Sequence, residues 1–189
     1  MLKMKIAIWG AGGIGCYYGA RLVKAGHHVT FIARGEHLQV MQQQGLTLDH
    51  PSFNFCQPVN ALSQSQWKAE NNCSDFDLII LTLKSNATEG VLNEMAEWLK
   101  EGTCPILSLQ NGVDNEIHIA NTVGTQRTLG GLAVRIGGHT EQPGHIKAEG
   151  VAQVIFGQWP NDNNSSHLHA LLTTFKDAQI DASPSTDIR

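Results

Sequence analysis

Met4–Trp9 is a short apolar run carrying Ile6 and Ile8, with glycine directly after it, and this pattern predicts a buried strand. From Gly13 to Ala25, apolar side chains recur at Ile14, Tyr17, Tyr18, Leu22 and Ala25. They share one face of a predicted helix that Gly26 closes. Val29–Ala33 reads as a second strand, and Glu36–Gln44 as a short helix ending at Gly45. Leu78–Leu83 (LIILTL) is almost wholly apolar, as expected of a central parallel strand covered on both faces. A helix over Thr88–Lys100, a strand over Pro105–Leu109 and a helix over Asp114–Asn121 follow.

Two regions break this alternation. Leu46–Asn72 mixes short alternating pieces and predicts a small hairpin or crossover excursion. After Thr128, two strand patterns, Thr128–Ile136 and His145–Phe156, flank the connector GGHTEQPG and predict antiparallel edge strands. The polar stretch NDNNSS at 161–166 predicts a loop whose serines cap a last helix, Ser166–Ala178. Strands alternating with helices after a tight first turn predict an α/β fold: a Rossmann-type doubly wound, mostly parallel sheet.

Composition narrows the function. The 189 residues are 41% hydrophobic and 16% charged, with a formal net charge of -4. No lysine/arginine run offers a footprint for nucleic acid or an anionic membrane, so neither partner is expected. No apolar stretch approaches the ~20 residues of a membrane span. The basic N-terminus leads only into Ile6–Trp9, too short for a signal-peptide core, and the expected location is cytoplasmic. The four cysteines are widely spaced, and the histidines lack helical ligand spacing, so no metal site is expected. No GxSxG elbow supports hydrolase chemistry.

The chemistry lies in Gly10-Ala11-Gly12-Gly13-Ile14-Gly15, a GxGxxG turn between a predicted strand and a predicted helix. Gly10 permits the turn, Gly12 admits a pyrophosphate, Gly15 allows close helix–strand packing, and the helix N-terminus offers amides to phosphate. Where an NAD enzyme places Asp or Glu, this chain has Ala33 and then Arg34, which favours the 2′-phosphate of NADP(H). Glu36 lies near enough to argue for the ribose of NAD instead. Lys84 and Asn111 follow apolar strands at positions where such sheets bind ligands. Lys84 also reads as a solvated strand end, and Asn111-Gly112 as turn chemistry.

Together, GAGGIGCYYGARL, FIARGEHL, LTLKS, LQNGVDNE and the PGHI hairpin followed by FG resemble the ketopantoate reductase (2-dehydropantoate 2-reductase) family across essentially the whole chain. The resemblance implies an NADP-binding Rossmann domain over residues 4–182, with 183–189 beginning the linker to a helical domain that these residues do not include. It implies NADPH-dependent reduction of 2-dehydropantoate, or a similar 2-keto acid, in pantothenate and coenzyme A biosynthesis. Gly10, Ala11, Gly12, Gly13, Ile14 and Gly15 would hold the pyrophosphate, and Arg34 the 2′-phosphate. Lys84 would lie by the adenosine, and Asn111 near the nicotinamide ribose and substrate.

The family's catalytic lysine would follow Arg189, and Lys176, which precedes the matching DIR segment, is not given that role. The chain is therefore expected to supply the coenzyme half of the cleft and to be weak or inactive alone. A non-enzymatic NADP(H)-binding module is the alternative. Surface left uncovered by the helical domain leads us to expect a homo-oligomer.

Overall fold

A computed structural model describes residues 2–161 and 166–188. In β1 (Lys5–Trp9), Ile6 and Ile8 are buried in one apolar core and Ala7 and Trp9 in another, because successive strand residues face opposite sides of a sheet. α1 (Gly13–Lys24) returns the chain to β2 (His28–Ile32), which pairs parallel with β1. α2 (Gly35–Gln44) follows and ends at Gly45. β6 (Leu78–Leu81), α4 (Thr88–Lys100), β7 (Ile106–Ser108) and α5 (Asn115–Val123) continue the winding, with β6 parallel to both β1 and β7.

The excursion before β6 has two separate destinations. β3 (Leu46–Asp49) and β4 (Phe55–Gln57) form a hairpin, whereas β5 (Asn60–Leu62) joins β2 and leads into α3 (Gln64–Glu70). β8 (Thr128–Gln142) and β9 (His145–Gln158) are the expected antiparallel pair, but they are not edge strands, because β8 also pairs with β7 and β9 with β3 and the last strand of the chain. α6 (Ser166–Asp177) and β10 (Asp181–Pro184) complete the chain, β10 running parallel to β9. Of the polar 161–166 loop, residues 162–165 lie outside the described residues. Ten strands make one sheet in the order β4-β3-β9-β8-β7-β6-β1-β2-β5, with β10 beside β9.

The two faces bury different partners. α1 and α6 supply Tyr17, Leu22, Leu171 and Phe175 to one core. Trp67 of α3, Leu92 and Trp98 of α4 and Ile119 of α5 fill the other. There Trp67 meets Trp9 at 5.2 Å and Trp98 at 4.5 Å between ring centroids. Such edge-on pairs each add about 0.5–1.5 kcal/mol beyond the area they bury.

The stretch GGHTEQPG is strand as far as Gln142, and only Pro143 and Gly144 make the turn. A bulge that sets Arg135 (φ 60) against Val151 and Ala152, beside the Ile136–Gly150 pair (Gly150 φ 98), bends the long pair. Beyond the bend the hairpin lies over α1, where a β-carbon on Gly13 would come 2.2 Å from the Gly138 carbonyl carbon. Glycine on both sides lets two backbones touch, so a segment that reads as a loop is strand. β3 then adds to β9, and the sheet curls around α1.

His27, just before β2, is 5% exposed and accepts the Met4 N–H through Nδ1, while its Nε2 has no partner among the described residues. Burial first, then the nearby Lys3, lowers its pKa from the ordinary 6.5. The fold therefore favours the neutral ring. Its contribution is complete above pH 6.5 and declines as pH falls from there to the depressed native value. Urea denaturation at about pH 7.5 and about pH 5.5 is expected to show lower stability at the acid value. His27→Asn, which keeps an acceptor for Met4 but cannot titrate, is expected to lessen that difference.

Candidate functional site

Parallel pairing places the predicted positions along one edge. Asn111 follows β7, Lys84 follows β6, the glycine turn follows β1 and Arg34 follows β2, and these four strands are neighbours in that order. Three strand spacings separate the outer two, roughly 14 Å. The chain winds in opposite directions on either side of β1 and β6, which opens a crevice at their carboxyl ends.

Within the turn the glycines have different surroundings. Gly10 has φ +119, and a β-carbon there would meet the Leu83 nitrogen at 2.6 Å. At Gly15 a β-carbon would meet the Gly10 carbonyl oxygen at 2.2 Å and Thr82 Oγ1 at 2.6 Å. At Gly12 it would meet nothing within 4 Å. Gly10 and Gly15 are thus required by the protein itself, whereas Gly12 borders open space. No side chain caps α1, whose first turn carries no acidic residue, so its N-terminal amides suit an anion.

Arg34 is the exposed N-cap residue of α2 and makes no ion pair among the described residues. Lys84 and Asn111 are exposed as well. A buried network missed in the sequence holds their segments together. Gln110 Nε2 donates to the Leu83 carbonyl at 2.8 Å and to Thr88 Oγ1 at 2.7 Å. The Thr88 hydroxyl donates to Asn115 Oδ1 at 3.2 Å, and Asn115 Nδ2 donates to the Asn111 carbonyl at 3.1 Å. Thr82 Oγ1 donates to the Gly10 carbonyl at 2.6 Å. The only sequence signal was a polar residue, Gln110, directly behind a buried strand.

A cavity of about 150 Å³ continues the crevice beyond β7, lined by Gln110, Gly112, Glu116, Leu132 and Ile188 among others. Burial pushes the Glu116 carboxyl above its ordinary value, against hydrogen bonds from its own backbone and Ser108. Ser185–Ile188 crosses the paired Gly130 and Gly157, where β-carbons would come 2.2 Å from Ile188 Cγ2 and from the Ser185 oxygen. A larger cavity, about 700 Å³, lies by the β8–β9 hairpin against Asp49, His50 and Asn54 and includes none of the predicted site positions. The candidate site is the crevice, where the open Gly12 is, and not the larger volume. Lys176 is exposed on α6, whose Thr174 reaches Met4 Sδ at the opposite end of β1. Among the described residues no three His, Cys, Asp or Glu converge as for a metal, and no helix is long and apolar enough to cross a membrane.

Gly15→Ala is expected to cost about 1–3 kcal/mol by overpacking, read from chemical denaturation. Gly12→Ala, at φ -84 and facing open space, is expected to cost less than about 1 kcal/mol, the preference of a helix N-cap for glycine over alanine. Equal losses would show that the two glycines do not play separate parts.

Residues 6–161 match the model of the family described as ketopantoate reductase PanE/ApbA. The 2-dehydropantoate 2-reductase of Pyrococcus horikoshii is 32% identical over 161 residues, 85% of this chain and 50% of that protein. Its counterpart from Pyrococcus abyssi is 30% identical over 185 residues, 98% of this chain and 57% of that protein. The solved 2-dehydropantoate 2-reductase of Geobacter metallireducens GS-15 superposes with a TM-score of 0.83 at 27% identity, covering 97% of this chain and 58% of that one. D-mandelate dehydrogenase, solved with NADH and anilino(oxo)acetate, gives 0.84 at 26% identity, covering 98% and 58%. The chain spans about half the length of the curated relatives it matches. With the family model matched over residues 6–161, the chain belongs to the ketopantoate reductase family PanE/ApbA.

Proposed function

We propose that this chain binds NADP(H) across the carboxyl ends of β2, β1, β6 and β7 and forms the coenzyme half of a reductase acting on 2-dehydropantoate or a similar 2-keto acid. The observation that carries the reading is Gly12: its missing side chain faces open space beside an uncapped helix N-terminus, while Gly10 and Gly15 are closed in by protein. A backbone bare of side chain next to free amides suits a pyrophosphate.

When bound, the coenzyme supplies the hydride for the ketone carbon. The amides of the Gly10–Gly15 turn hold its pyrophosphate. Arg34 pairs with the 2′-phosphate, and Ala33 leaves no carboxylate at the end of β2 to repel it. Lys84 serves the adenosine portion, and Asn111 the nicotinamide ribose and the substrate. Gln110, through Leu83 and Thr88, keeps the last two segments in register across the crevice. The developing alkoxide needs a proton, and the family resemblance assigns that task to a lysine after Arg189. The 189-residue polypeptide is therefore expected to bind NADPH and to reduce 2-dehydropantoate weakly.

Parallel calorimetric titrations with NADPH and NADH test the reading, the D-mandelate dehydrogenase neighbour having been solved with NADH. NADPH is expected to bind more tightly. Arg34→Ala is expected to weaken NADPH by about 1.5–3 kcal/mol, roughly 10- to 150-fold, and to leave NADH within about twofold. Equal affinities in the parent chain would overturn the 2′-phosphate assignment, and no binding of either nucleotide would overturn the site.

Val113, Ile117 and Leu132 are 68%, 43% and 52% exposed, in the turn before α5, on α5 and on β8 respectively. This apolar surface supports self-association of the 189-residue polypeptide. Light scattering is expected to give a mass above the monomer at micromolar concentration, and a strictly monomeric mass would refute it.

A further inference from the structure

The peptide between Ala11 and Gly12 is held from behind. Its carbonyl lies 2.7 Å from His37 Nε2 and accepts from the Cys16 thiol at 3.2 Å. The other ring nitrogen of His37, Nδ1, accepts the Gly144 N–H at 2.9 Å. A backbone N–H only donates, so Nδ1 is bare, and the neutral ring carries its proton on Nε2. Nε2–H is then the donor to Ala11. Cys16 is fully buried, and burial pushes its thiol up, so it remains an S–H donor.

Within a planar trans peptide the C=O and the following N–H point in opposite directions. Drawing the Ala11 carbonyl toward His37 and Cys16 therefore directs the Gly12 N–H away from them. Gly12 is the residue whose missing side chain borders open space. The tautomer, in turn, is set by the β8–β9 turn. Gly144 is fixed there by two further contacts: its carbonyl accepts from Thr47 N at 2.9 Å, and a β-carbon on it would come 2.3 Å from Val40 Cγ1. A side chain in this place needs a donor at one end and an acceptor at the other. Imidazole supplies both, whereas lysine has no acceptor and a carboxylate no donor.

We propose that His37, as its Nε2–H tautomer, is a positioning residue for the coenzyme, aiming the Gly12 amide at the pyrophosphate while tying the glycine turn to the β8–β9 hairpin. The inference rests on the reading that the turn binds NADP(H). It also links two segments 107 residues apart, Gly144 and His37, so the hairpin helps shape the coenzyme site without touching the coenzyme.

Three readouts test it. Nitrogen NMR of histidine-labelled protein is expected to show His37 neutral with the proton on Nε2. The opposite tautomer overturns the proposal whether or not coenzyme binds. His37→Asn keeps an acceptor for Gly144 but has no donor long enough for Ala11, and is expected to weaken NADPH about tenfold. His37→Gln, whose amide N–H₂ reaches the Nε2 position, is expected to recover affinity to within about threefold of the parent. Adenosine 2′,5′-bisphosphate, which lacks the pyrophosphate bridge, is expected to bind all three proteins alike. Unchanged NADPH affinity in both variants, or equal losses of NADPH and the bisphosphate, would reduce His37 to a structural role and overturn the proposal. A parent chain that binds no NADPH, yet shows the Nε2–H tautomer, would instead place the failure in the coenzyme reading and remove the inference with it.

Discussion

Backbone meets backbone twice at the first turn of α1, and the rest of the site depends on both contacts. A β-carbon at Gly15 would stand 2.2 Å from the Gly10 oxygen, and one at Gly13 would stand 2.2 Å from the Gly138 carbonyl carbon. The first contact seats the helix against the end of β1. The second lets the β8–β9 hairpin lie directly on the helix, so that the sheet curls around α1 and does not stop at β8. Any side chain at either point would push these layers apart, and close packing leaves no slack to absorb it.

Once α1 is seated, polar groups make the final adjustments. Thr82 fixes the Gly10 carbonyl, His37 and Cys16 fix that of Ala11, and Gln110 fixes that of Leu83. Each of these carbonyls lies close to the crevice. Polar bonds shielded from water in this way matter because an unmade one is costly. The exposed residues Arg34, Lys84 and Asn111 are thus carried on segments whose backbones are held by buried or half-buried side chains.

Much of this was legible in the chain. The apolar runs at Ile6–Trp9 and Leu78–Leu81 are buried on both faces, and a strand covered on both sides has to be apolar throughout. The glycine turn was legible because its spacing reflects local geometry, a tight turn followed at once by a helix. The connector GGHTEQPG was misread as a loop. Glycines there serve a contact with Gly13, more than a hundred residues earlier, and nothing local distinguishes that use from a turn. Of the excursion after Gly45 the hairpin was legible and is β3–β4, but not that β5 leaves it to join the opposite end of the sheet.

The sequence by itself determined the alternation of strands and helices, the phosphate-type turn, the absence of an acidic residue at the end of β2, and the kinship those motifs carry. These are properties of neighbouring residues and need no partner to be read. The tertiary structure alone decided which glycine is open and which are closed. It also brought His37 between Ala11 and Gly144 and joined Gln110 to Leu83 and Thr88. Those facts are distances between segments remote along the chain, and such distances exist only once the sheet has closed around α1.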